Sequence, residues 1–221
     1  MALVTVDLDP PYLLRGRWAA VSAIRTALDY GRSWDCCANG PDWHYHDGGG
    51  NWMQLTLLDG DRAVLFGNDH EYSDTYFREA AEEFGEPETD LLAGTPDWFE
   101  EAFERPIAYE RWYGFIYGFD DGGWRRAEYV QSDGFTSVGL PAASAETAAT
   151  TISYDVSKGD EKAAPSPEAV HTLLSAGADL TEAQLAAVAL SDSVDLAAGV
   201  AAARRFRPDA VPDPVPPWVR R

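Results

Sequence analysis

The chain has 221 residues, 45% of them hydrophobic, enough for one large domain or one domain with a small appendage. Its 37 acidic and 17 basic residues leave a net charge of −20, a field that repels nucleic-acid backbones and anionic lipid head groups. Nucleic acid and membranes are therefore excluded as expected partners, and a basic protein or a cationic ligand is what this field steers inward.

The N-terminus carries Asp7 and Asp9 and no basic region ahead of an apolar run, so no secretory signal is expected. No apolar stretch approaches the length of a membrane span. The two cysteines are adjacent, Cys36 and Cys37, poor geometry for a structural disulfide and suited to a reducing cytoplasm. Only Lys158 and Lys162 are lysines; this arginine bias, with abundant alanine, reads as a high-GC bacterial genome such as an actinobacterial one.

In chain order, Leu13, Leu14, Trp18, Val21, Ile24 and Leu28 recur at helical spacing and predict a helix over about 12–30, with Gly31 placed to end it. A Gly- and Asp-rich loop is expected from Ser33 to Asn51. Trp52–Leu58 and Arg62–Gly67 then form a hairpin around a two-residue Gly60-Asp61 turn. That register pairs Leu57 with Val64 and Leu55 with Phe66, and places Met53, Leu55, Leu57, Val64 and Phe66 on one face.

A short helix is predicted over about 74–84, stopped by Gly85. Thr95 and Pro96 open another that Pro106 closes. A second hairpin over about 112–130 turns at Asp120–Gly123, pairs Phe119 with Trp124, and lays Tyr113, Phe115, Tyr117, Phe119 and Trp124 on one face. That aromatic ladder reads as core under a helix, with Gly114 and Gly118 behind it admitting close backbone approach. Phe135–Leu140 and Thr151–Asp155 are further strand candidates.

The expected fold is thus α+β: an antiparallel sheet of about four to six strands built from two hairpins, with helices packed on one face. Residues 1–156 form the main domain, 157–167 a linker, 168–207 a small helical C-terminal region and 208–221 a Pro-rich tail. In that region Ser166-Pro167 starts a helix, Gly177 stops it, and Thr181 with Gln184 is a capping box.

Three features bear on chemistry. Trp43-His44-Tyr45-His46-Asp47 places two imidazoles on one side of an extended segment, a workable metal-ligand spacing with His44, His46 and Asp47 as candidates for a divalent ion. Cys36 or Cys37 with His44, His46 or His70, oriented by Asp42 or Asp69, is the candidate thiol dyad. Together these define one reading, a small metal- or thiol-dependent hydrolase. Yet no nucleophile elbow, phosphate loop or dinucleotide fingerprint occurs.

The third feature is the span from Glu79 to Glu104, which holds ten carboxylates and no basic residue. Its apolar residues fall on one stripe, which turns the acids outward. Glu82, Glu83, Glu86, Glu100, Glu101 and Glu104, with Trp98 at the edge, are the expected docking face for a basic protein. The favoured reading is a non-enzymatic, immunity- or antitoxin-type inhibitor with no cofactor. A third reading makes the C-terminal helices and tail an assembly arm.

Overall fold

The computed structural model describes residues 3–28, 35–104, 112–158, 164–191, 193–214 and 218. In chain order the elements are β1 (Val4–Val6), α1 (Pro11–Ala27), β2 (Cys36–Asn39), β3 (Asp42–His46), β4 (Trp52–Leu58), β5 (Arg62–Asn68), α2 (Glu79–Phe84) and a 3-10 helix (Asp97–Glu104). There follow β6 (Phe115–Asp120), β7 (Gly123–Arg126), α3 (Phe135–Val138), α4 (Ala145–Ser157), α5 (Pro167–Ala176), a 3-10 turn (Gly177–Asp179), α6 (Glu182–Ala189) and α7 (Leu196–Arg204). The fold is α+β, as expected, with a seven-stranded antiparallel sheet ordered β1-β7-β6-β5-β4-β3-β2.

The strand count exceeds the expected range because three short strands carry no clear alternation. β2 and β3 occupy the stretch expected to be loop, joined at Gly40 with φ +65°, and every residue in both is buried. β1 pairs with β7, matching Val4 to Arg126 and Val6 to Trp124. Two expected strands are helices instead. Phe135–Val138 is one helical turn between Gly134 and Gly139, both with positive φ. Ser144 caps α4 by accepting the Thr147 N–H at 3.0 Å, and that cap with an Ala/Glu-rich start overrides the β-branched Thr150-Thr151-Ile152.

Contacts divide the chain into two compact units: residues 1–10, 44–139 and 218–221, and residues 11–43 and 140–217. In the first, β4 and β5 pair one residue out of the expected register. Leu57 faces Ala63 and Leu55 faces Leu65, because the turn takes three residues, Asp59 to Asp61, with Gly60 and Asp61 both at positive φ. One residue of slip exchanges faces. Val64 and Phe66 therefore lie with Trp52, Gln54 and Thr56, and across β6 with Ile116 and Gly118. Met53, Leu55 and Leu57 lie with Leu65, Phe115 and Tyr117.

The second hairpin holds its expected register, Phe119 opposite Trp124. Phe115, Tyr117, Phe119 and Trp124 are all buried, so the ladder is core, and Phe135 packs edge-on against Phe115 and Tyr117. Helical residues thus meet this face as well as the other. Tyr113 departs from the ladder. It precedes the strand and joins Trp52, Phe66 and Phe103 on the opposite side.

That opposite side is closed by the acidic segment. Phe77, Leu91, Phe99 and Ala102 form one buried cluster with Trp52, Val64, Phe66 and Ile116. The first predicted helix of this segment is shortened to Glu79–Phe84. Thr75 Oγ1 donates to the Gly114 carbonyl at 2.6 Å and Asp74 N to the Ser132 carbonyl at 2.7 Å, which holds the preceding residues extended. The second helix is 3-10, and Pro106, expected to close it, lies outside the described residues.

The second unit is built around α1. That helix is buried on several sides by Leu14, Trp18, Val21, Ile24 and a run of alanines, so it needs cover all round. α4, α5, α6 and α7 all contact it. Arg25 pairs with Asp155 of α4 at 2.9 Å, and Gly16 and Gly177 meet backbone to backbone. The Ser166 cap, the Gly177 stop and the Thr181–Gln184 capping box are formed as expected. In the Pro-rich tail, Asn39 and Asp213 exchange two hydrogen bonds, of 3.1 and 2.7 Å, and Arg205 pairs with Asp213. Gly31 and the centre of the expected linker, 159–163, are outside the described residues.

The close seat of Phe99 on Gly118 gives a stability test. A methyl on Gly118 would overlap the Phe99 ring, whereas one on Gly123 meets nothing. Gly118→Ala is expected to cost about 1–3 kcal/mol by overpacking, read as a lower urea midpoint at unchanged slope, while Gly123→Ala stays near the parent.

Candidate functional site

The acidic segment presents a rigidly backed charged face. Its apolar side chains are locked into the sheet cluster, so Glu82, Glu83, Glu86, Glu100 and Glu101 are all exposed, together with Glu79, Glu88, Asp90 and Asp97. Trp98 is half-buried at the edge, with the Arg62 guanidinium 5.2 Å from its ring centre. Arg78, just before the acidic span, pairs with Glu100 at 2.6 Å. The Glu104 side chain is outside the described set. A polar depression of about 570 Å³, lined by Arg78, Glu79, Glu82, Glu86 and Glu88, opens on this face.

Beside it lies a smaller cavity of about 140 Å³ that sequence reasoning did not anticipate. Asp69, His70, Ser73, Thr75, Tyr76, Phe84 and Trp112 are among its lining residues. Asp69 is buried, and its Oδ1 accepts the N–H groups of Glu71 and Tyr72 at 2.9 and 2.8 Å. The only sequence signal for this pocket is an aspartate ahead of a tight turn, a common structural motif.

The His44–Asp47 segment is organised locally. His44 is fully buried and stacks on Trp218, ring centres 5.3 Å apart. Burial first, and then the charge of neighbouring His46, pushes the His44 imidazole down to about 3. His46 Nδ1 accepts the Gly48 N–H at 2.8 Å. Asp47 serves the following turn: Oδ1 accepts from Gly49 and Asn51 N–H groups and Oδ2 from the Asn51 amide at 2.8 Å. Asn51 Oδ1 in turn takes the His70 N–H at 3.0 Å and lies 2.8 Å from His70 Nδ1. These residues shape two loops against each other. Among the described residues no group of three or more His, Cys, Asp or Glu side chains is arranged to hold a metal ion.

Cys36, Cys37 and Asp42 belong to the helical unit, and His44, His46, Asp69 and His70 to the other. Both thiols are buried. Burial pushes Cys36 up to about 12, reinforced by the charges of Asp155 and Asp35 and opposed by Arg25. It raises Cys37 well above the ordinary thiol value. A thiol held this way is protonated at neutral pH and is a poor nucleophile.

The second unit has an apolar groove of about 710 Å³ between α4 and α5, lined by Ala149, Tyr154, Pro167, Val170, His171 and Leu174. Among the described residues no helix is long and apolar enough to cross a membrane.

Two outcomes follow. Native protein is expected to leave an aromatic disulfide reagent such as Ellman's unreacted over hours, with two thiols appearing on unfolding in urea. For His44, the native imidazole stays neutral while the unfolded chain titrates near 6.5. Its stabilising contribution is therefore complete above pH 6.5 and is lost as pH falls toward about 3. Unfolding free energies from urea titrations should fall more steeply with decreasing pH for the parent than for His44→Phe across this window, by up to about 1.4 kcal/mol per pH unit. No family model, curated protein or solved structure matches this chain.

Proposed function

We propose that this chain is an acidic protein-binding module that recognises a basic protein partner, in the manner of an immunity- or antitoxin-type inhibitor. One observation carries the reading. The carboxylates from Glu79 to Glu101 ride on a segment whose underside, Phe77, Leu91, Phe99 and Ala102, is part of the core. Their backbone is already ordered before any partner arrives, which lowers the ordering cost of binding. The net charge of −20 adds long-range attraction for a cationic surface.

The hydrolase reading draws less support, since both thiols are buried and protonated, His44 is stacked on Trp218 and His46 accepts the Gly48 N–H. Glu82, Glu86 and Glu101, which are exposed and stand outside the core cluster, are the residues on which the binding reading stands or falls.

The test is capture of partners from the source cell by immobilised full-length protein, followed by kinetics on the purified partner. Binding should be saturable and weaken steeply with salt. A triple Glu82→Lys, Glu86→Lys, Glu101→Lys variant should lower the association rate by about tenfold or more at low salt, with a smaller effect on dissociation. Binding that ignores both salt and the triple reversal would remove the proposal.

A further inference from the structure

The cavity lined by Asp69, Ser73, Thr75, Tyr76, Phe84 and Trp112 has a chemistry distinct from the open acidic face beside it. Two of its lining residues carry buried polar atoms with no hydrogen-bond partner among the described residues. These are Asp69 Oδ2, an acceptor, and Trp112 Nε1, a donor. Asn68, His70 and Tyr76 bring further polar groups to the lining, of which His70 Nδ1 lies 2.8 Å from Asn51 Oδ1. Several others are committed. Asp69 Oδ1 serves the Glu71 and Tyr72 N–H groups, Ser73 Oγ donates to the Asp133 carbonyl at 2.8 Å, and Thr75 Oγ1 donates to Gly114.

A buried carboxylate oxygen and a buried indole N–H left without partners are each costly, so their presence in one cavity calls for an occupant that satisfies both. The aromatic walls narrow the choice. Phe84 lies 5.8 Å from Tyr76 and 5.1 Å from Trp112, centre to centre, giving a three-ring wall next to one carboxylate. Aromatic faces with an adjacent anion are the environment that retains an organic cation after it is stripped of water.

We infer that this cavity is the seat of a basic side chain of the partner, its cationic end hydrogen-bonded to Asp69 and walled by Tyr76, Phe84 and Trp112. A residue within a polypeptide also brings the second requirement, since its main-chain carbonyl is an acceptor for the Trp112 indole N–H. The inference rests on the protein-binding reading above and adds the anchor to it. The acidic face draws the partner in, and the cavity holds one side chain of it.

The measurement is the Trp112 indole 1H–15N signal of the full-length protein, assigned by its loss in Trp112→Phe. Three probes are titrated: N-acetyl-lysine N-methylamide, its arginine counterpart and the neutral norleucine counterpart. At least one cationic probe should shift the signal saturably, with a Kd on the order of millimolar as befits a single side chain. The tighter of the two identifies whether the ammonium or the guanidinium is preferred. The norleucine amide should fail to saturate.

Asp69→Asn keeps the acceptor oxygen that caps Glu71 and Tyr72 and should weaken the cationic probe tenfold or more. Phe84→Ala, at a half-exposed ring, should weaken it without unfolding the protein. Equal binding of the neutral amide, no saturable shift with any probe, or an unchanged affinity in Asp69→Asn would each overturn the inference and leave ordered water as the occupant.

Failure here is separable from failure of the docking face. Salt-sensitive partner binding with no probe binding removes only the anchor. Probe binding without any partner removes the protein-binding role and with it the partner's side chain as occupant, leaving a site for a free organic cation.

Discussion

The seat of Phe99 on Gly118 is the contact on which the first unit is organised. β6 alternates large rings on one side with Ile116 and Gly118 on the other. The absence of a side chain at Gly118 lets a ring from the 3-10 helix descend onto the strand backbone. Once that ring is seated, Ala102 and Leu91 follow into the same cluster, and the acidic segment is fastened along one face of the sheet. The carboxylates point outward as a consequence. Their arrangement depends on a hydrophobic decision made beneath them, because a charged residue on this segment has only the solvent side left to occupy.

The cavity lies beside that segment. Residues 69–76 lead from the end of β5 toward α2. They do so in a turn organised by Asp69 and pinned by Ser73 and Thr75. Tyr76, at the end of that passage, meets Phe84, the last residue of α2, and Phe84 meets Trp112 just ahead of β6. An open electrostatic face and a part-open aromatic pocket therefore border the same acidic segment.

Much of the fold was legible where local chemistry is strong. The capping box at Thr181, the cap at Ser166, the stop at Gly177 and the Phe119–Trp124 register each follow from a few neighbouring residues. What escaped is what depends on distant partners. β2 and β3 lack alternation because they are buried on both sides, so no polar face marks them as strands. The β4–β5 slip arises because Gly60 and Asp61 both adopt left-handed φ inside a three-residue turn, a choice the composition Asp-Gly-Asp does not distinguish from the shorter one. Apolar residues on both faces then removed the pattern that would have exposed the error. Of the site, the acidic face was readable from charge and stripe alone. The cavity was not, since it joins Asp69 to Trp112 across more than forty positions, and neither residue belongs to a motif.

The burial of both thiols has a practical side. Cys36 and Cys37 are the only cysteines in the chain, and each is shielded and protonated under native conditions. A cysteine introduced on the exposed rim, for example at Glu83, would be the sole thiolate-forming group available to a maleimide dye. The wild-type background thus already serves as a labelling scaffold, with no need to strip out native cysteines that help fill the helical core.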